Sequence, residues 1–297
     1  MLNARAWKKL CFVTLIAVLS LALVAGCGAA GDVDTGASDE SLGTIEIGMV
    51  NWAECVANSN LWKVILEDQG YQVNLTQLDA APLYVGLDKG DLDVFLDAWL
   101  PVTHETYWDR YQDNLEDLGV WYESGARIGL VVPEYVDINS IEELVDNKDK
   151  FDGQIIGIDP GAGIMQATKS ANEEYNLEFN VVQGSEAAMM SALQKDYPNE
   201  KWIAITGWTP HWKFAEYDLK FLDDPKMVYG EAETLHVLAH KNFSAEFPEV
   251  AEMFKKFSMN DDEIGSLEAL INNGMDPEDA AKQWIDDNQD LVNSWIQ

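Results

Sequence analysis

From residue 45 onward, short strand-like runs alternate with helical stretches, and this rhythm limits the possible folds more than any other feature of the chain. "TIEIGMV" leads into a helical pattern over 53–69 that is closed by Gly70. "YQVNLTQL" is followed by a short helix over 83–89 with Gly90 as its stop, and "LDVFLDAW" by a helix over 105–111. "RIGLVVP" (127–133) precedes "NSIEELVDN", where Ser140 has the character of an N-cap. "GQIIGID" (153–159), a helix over 164–175, a strand near 178–182, a helix over 185–196 and "WIAITGW" (202–208) repeat the theme. "ETLHVLAHK" (233–241) is the last strand, and only helices follow, over 248–257, 260–273 and 277–295. Such alternation predicts an α/β fold with mainly parallel sheets. Ligands of these folds sit beyond the carboxyl ends of the strands, so the residues that close each strand carry the most functional information.

The segment before this pattern reads differently. Arg5, Lys8 and Lys9 precede an apolar run from Leu10 to Ala25, and Val24-Ala25-Gly26 place small residues before Cys27. Residues 1–26 therefore have the form of a secretory signal. It resembles the bacterial lipoprotein type, in which the cysteine is lipidated and becomes the mature N-terminus. The alternative is an uncleaved anchor, since the run nearly reaches spanning length. Either way the remainder is expected outside the cytoplasmic membrane. Residues 27–43 are small, polar and acidic and read as a flexible tether. The rest of the chain is long enough for one large or two modest domains.

Charge and cysteine content exclude several functions. With 19 basic and 52 acidic residues the net charge is −33, which argues against nucleic acid and against adhesion to anionic lipid. It suits solubility in concentrated salt, where screening relieves self-repulsion. Three cysteines make no disulfide framework; Cys55, left without a partner, reads as a buried and unreactive thiol.

Three strands end on tryptophan: "GMVNWAE" on Trp52, "FLDAWLP" on Trp99 and "AITGWTPHW" on Trp208. Any one of them is readily explained as core. Three at the same topological position point to a cage for a cation, quaternary ammonium above all. That group donates no hydrogen bond and is weakly hydrated, so aromatic faces replace its water at little cost, worth about 2 kcal/mol per desolvated contact. The glycine loop "GIDPGAGIM" (157–165) lies between a strand and a helix start, where backbone amides favour an anion. The phosphate-binding pattern with its lysine is absent, so a single carboxylate is the expected guest. His104, in "DAWLPVTH", offers a side-chain donor to it, with Pro101 holding Leu100 extended.

With these segments in view, the chain resembles the glycine betaine-binding subunits of bacterial ATP-driven osmoprotectant importers. The resemblance covers almost all of 45–297 and is carried by "VNWAECVANSN", "DAWLPVTH", "RIGLVVPEYV", "IIGIDPGAGIM", "ITGWTPHWKFAEYDLKFLDDP" and the closing helices. It implies a two-lobed fold of the periplasmic-binding-protein type (type II) with the ligand in the inter-lobe cleft. By position, lobe I would span 44–131 and 235–297, and lobe II 132–234. The implied site is a prism of Trp52, Trp99 and Trp208 around the ammonium. The backbone amides of Gly163 and Ile164 and the side chain of His104 would take the carboxylate. The implied partners are glycine betaine or a similar zwitterion and a membrane permease with its ATPase. Lipidation at Cys27 would supply the anchor. The protein is expected to be a monomer that needs no cofactor and no metal.

Other residues have plainer readings. His211, His236 and His240 are expected to be structural, and Asp91, Asp93 and Asp97 to form a solvated strand face. Trp62, Trp108, Trp121, Trp202, Trp212, Trp284 and Trp295 are assigned to packing, with Trp212 close to the proposed cage. An extracellular enzyme acting on small amines would need a nucleophile with a base, and none assembles from these motifs. A receptor that senses osmolytes without transporting them would carry the same site. Proline betaine, carnitine, sulfonium analogues and choline remain alternative ligands.

Overall fold

The computed structural model describes residues 41–297; the signal-like segment, Cys27 and the tether up to residue 40 lie outside the described residues. Among the described residues nine strands form one mixed sheet of order β2-β1-β3-β9-β4-β7-β5-β6, with β8 paired to β4. The strands are β1 (Thr44–Met49), β2 (Gln72–Gln77), β3 (Val94–Leu100), β4 (Leu115–Pro133), β5 (Gln154–Ile156), β6 (Asn180–Val182), β7 (Ala204–Thr209), β8 (Leu219–Phe221) and β9 (Glu233–His240). Between them run α1 (Ala53–Asp68), α2 (Ala80–Lys89), α3 (Glu105–Tyr111), α4 (Leu144–Asn147), α5 (Gly163–Glu174), α6 (Glu186–Asp196) and α7 (Lys213–Glu216). The chain closes with α8 (Phe243–Glu246), α9 (Pro248–Lys256), α10 (Asp261–Asn272), α11 (Pro277–Asp287) and α12 (Gln289–Ile296).

The parallel expectation holds only in part. β1 pairs in parallel with β2 and β3, and β5 with β6 and β7, but β3–β9, β4–β9, β4–β7 and β4–β8 are antiparallel. The cause is the 19-residue β4, of which only 127–133 is legible as a strand. Its first part pairs with β9 as far as Ala126, and from Arg127 it pairs with β7. Repeated register shifts and the positive-φ Gly119 and Gly125 break its alternation, which hides it from a period-two reading. The long strand and the returning β9 thus join two α/β halves, one built on β1–β3 and one on β5–β7.

Local signals work where they are strong. Gly90 ends α2 in the left-handed region (φ 72°), and Ser140 caps its helix in a reciprocal pair with Glu143. Asn260 and Glu263 do the same for α10. The closing helix expected over 277–295 is two helices that meet at Asn288. Trp62 of α1 stacks on Trp295, which stacks on Trp284, and Phe254 and Phe257 complete this cluster. Cys55 is free and buried, and burial pushes its thiol further up. Asp97 departs from expectation. β3 is buried on both faces, so Asp97 is fully enclosed rather than solvated.

Candidate functional site

Trp52 is the residue between β1 and α1, Trp99 the penultimate residue of β3, and Trp208 the penultimate residue of β7. All three line one cavity together with Glu54, Thr103, His104, Ile128, Ile158, Ala162, Gly163 and Ile164. Between these residues about 270 Å³ is not filled by protein atoms, open solvent included. The first half of the molecule supplies Trp52, Trp99 and His104, and the second supplies Trp208 and the start of α5.

Each of the three indoles is held by a carboxylate. Trp52 Nε1 donates to Asp159 Oδ2 at 2.9 Å, Trp99 Nε1 to Asp97 Oδ1 at 3.1 Å and Trp208 Nε1 to Glu54 Oε2 at 2.9 Å. The first and third of these bonds cross between the two halves; Asp97 shares a strand with its tryptophan. Lys213 is fully buried, with its Nζ 4.1 Å from the centre of the Trp208 ring. Sequence reasoning missed all four of these residues. Asp97 was within reach of it, because residues i and i+2 of a strand share a face.

His104 is fully enclosed, and its surroundings fix its tautomer. Nδ1 accepts the Trp99 backbone N–H at 3.0 Å and lies 3.1 Å from the Tyr84 hydroxyl. The proton therefore resides on Nε2, and that atom has no partner within the protein. Burial lowers the imidazole pKa to about 3, so the ring is neutral and Nε2–H is a free donor in the cavity wall. Gly163 and Ile164, in the same cavity wall, begin α5, where N–H groups lack intrahelical acceptors, and Ala162 offers no side-chain cap. A Cβ at Gly163 would lie 2.0 Å from the Thr103 carbonyl oxygen. Only glycine lets the two backbones approach this closely.

Around Glu54 and Lys213 lies a buried cluster of ionisable groups. Burial, reinforced by Glu186, raises the Glu54 pKa, while burial lowers that of Lys213 against the opposing pull of Glu186, Glu54 and Glu268. Burial lifts Glu186 to about 7 and holds Asp97 and Glu268 well above the usual carboxylate range. His211 lies outside the cavity wall and contacts Glu186 instead. His236 contacts Asp117 and Thr234, and His240 lies beside Asp93. Among the described residues, no group of His, Cys, Asp and Glu is arranged to hold a metal.

Two α/β halves joined by shared strands, with a small-molecule cavity between them, define a two-lobed substrate-binding protein of the kind that serves ABC transporters. Residues 43–287 match the family described as the substrate binding domain of the ABC-type glycine betaine transport system, and the chain belongs to that family. Its members bind substrates for transport and are not enzymes. Lactococcal OpuAC, solved closed with glycine betaine, superposes with a TM-score of 0.81 at 36% identity, over 86% of this chain and 99% of that one. ProX of Borrelia burgdorferi superposes at 0.82 with 33% identity, over 86% and 97%. The glycine betaine/carnitine transport binding protein GbuC of Listeria monocytogenes is 44% identical over 144 residues, 48% of each chain, so this match spans about half the length of that relative. Among the described residues no helix is long and apolar enough to cross a membrane.

Proposed function

We propose that this protein captures glycine betaine, or a closely related quaternary-ammonium zwitterion, in the cavity between its lobes and delivers it to an ABC permease. The convergence of Trp52, Trp99 and Trp208 on one cavity that is also lined by His104, with its free Nε2–H, and by the first turn of α5 carries this reading. The indole faces take the trimethylammonium group, each desolvated contact being worth up to about 2 kcal/mol. The amides of Gly163 and Ile164 and the His104 Nε2–H take the carboxylate. A neutral donor serves an anion here without requiring a buried counter-charge. The binding of glycine betaine by OpuAC and the glycine betaine/carnitine name of GbuC support the ligand class.

Lobe I is then 44–126 with the return from 233, and lobe II is 127–232, divided where β4 changes partner. Each lobe contributes part of the site, so ligand binds the closed form better and shifts the population toward it. The closed monomer presents both lobes to the permease. Residues 1–26 act as a signal, and lipid on Cys27 holds the protein at the outer face of the membrane. Calorimetric titration of the mature protein with glycine betaine, proline betaine, carnitine and choline tests the reading. Binding of the betaines with choline much weaker is expected; no binding of any quaternary ammonium compound would overturn it.

A further inference from the structure

Two carboxylates outside the cavity grip the same short stretch of the opposite lobe. Glu186, the first residue of α6, accepts the Ala53 N–H through Oε2 at 3.0 Å. Its Oε1 lies 3.0 Å from His211 Nε2. His211 Nδ1 accepts the Lys213 backbone N–H at 3.0 Å, so the His211 proton sits on Nε2 and points at Glu186. Asp159, just beyond β5, accepts the neighbouring Trp52 indole N–H at 2.9 Å.

Ala53 is the first residue of α1, and Trp52, in the capping position, offers no acceptor of its own. Helix starts ordinarily draw an acceptor from their own N-cap side chain, and a negative charge there also complements the helix dipole. Here the acceptor for the first turn comes from the other lobe. Separating the lobes would break both contacts together, uncapping α1 and freeing the Trp52 ring. Neither Glu186 nor Asp159 lines the cavity, so neither is positioned to touch the ligand.

We propose that Glu186 and Asp159 are positioning residues that latch the closed state, setting how long ligand is held rather than how fast it is captured. The inference rests on the reading of the cleft as a betaine site. Open lobes form the encounter complex without these contacts, so the association rate is independent of them. Release requires breaking both.

Stopped-flow tryptophan fluorescence with glycine betaine separates the two rates for the wild type and for Glu186→Ala, Asp159→Ala and Asp159→Asn. Each alanine variant is expected to raise koff roughly tenfold, about the value of one charge-assisted hydrogen bond, with kon within twofold. Asp159→Asn should fall between wild type and Asp159→Ala, because its side-chain carbonyl still accepts the Trp52 N–H but without the charge. If Glu186→Ala does not fold, the Asp159 pair carries the test alone. A wild type that binds while the folded variants keep its koff, or lose only kon, overturns the latch by itself. A wild type that binds no betaine brings down the reading of the cleft and the latch with it.

Discussion

The three tryptophans that line the cavity and those of the C-terminal core are treated differently by the same chain. In the core, the indole nitrogens of Trp62, Trp121 and Trp295 are buried without a partner, and Trp284 donates to the Ser266 hydroxyl. At the cavity, Trp52, Trp99 and Trp208 each donate to an acidic side chain. An unpaired buried donor costs about 1–3 kcal/mol, which this molecule tolerates three times over. Burying an acid is dearer still, and it was done for Trp99 and Trp208, whose partners Asp97 and Glu54 are buried, while Asp159 beside Trp52 is half-buried. Satisfying the N–H does not account for that difference. Fixing the plane of each ring does, because a cation contact depends on which face is presented.

The sharpest way to break this contrast is to remove one ring from each region. Trp99→Ala should weaken glycine betaine binding at least a hundredfold, losing a contact of about 2 kcal/mol and a wall of the cavity, and because Trp99 is itself only 3% exposed some stability is lost with it. Trp62→Ala should lose stability without the loss of affinity. Truncating a fully buried indole costs about 3–5 kcal/mol of stability, and the folded fraction should bind within a few-fold of wild type. Calorimetry and thermal melts on both variants check this. Comparable losses of affinity in the two would end the distinction.

The anion end offers a smaller effect. Choline lacks a carboxylate and leaves His104 Nε2–H and the first amides of α5 without a charged acceptor. Choline is therefore expected to bind roughly 10- to 100-fold more weakly than glycine betaine, the range for one or two hydrogen bonds to a charged group. His104→Phe should lower glycine betaine affinity while leaving choline affinity nearly unchanged, so that the ratio between the ligands narrows. Titration of both ligands into both proteins measures this ratio directly. If His104→Phe weakens the two equally, the imidazole is a packing group and not the donor.

The rings were legible in the sequence because each follows a strong strand run, and the glycine loop because its spacing breaks an otherwise regular pattern. Their supports were not. Trp208 and Glu54 are 154 positions apart, and Trp52 and Asp159 are 107 apart, distances at which no periodicity connects residues. Asp97 failed for another reason. Alternation separates a wet face from a dry one only when one face meets water, and β3 has no wet face. Within the fold, β4 was half seen because its bulged, glycine-bearing first part lacks a two-residue period, and with it went the antiparallel joints that make the sheet mixed.

The contrast also predicts how affinity depends on pH, the smallest of these effects. At the anion end nothing titrates near neutrality, since backbone amides do not ionise and His104 is neutral above about 3. At the cation end, Glu54 is raised, Lys213 is lowered and Glu186 is brought to about 7. A cation in the cavity favours the deprotonated form of each: it stabilises the carboxylates as anions and the lysine as a neutral amine. Binding therefore releases protons, and linkage requires affinity to rise with pH across this range. A rise of about two- to fivefold between pH 6.5 and 8.5 is expected, partial coupling keeping it below the tenfold per unit of a fully linked proton. An imidazolium donor at residue 104 would impose the opposite slope, with affinity falling as pH climbed through 6.5. Calorimetry in buffers of different ionisation enthalpy counts the protons, and Glu54→Gln should flatten the profile. A flat or falling profile in the wild type would mean that the buried acids hold the rings without contributing charge.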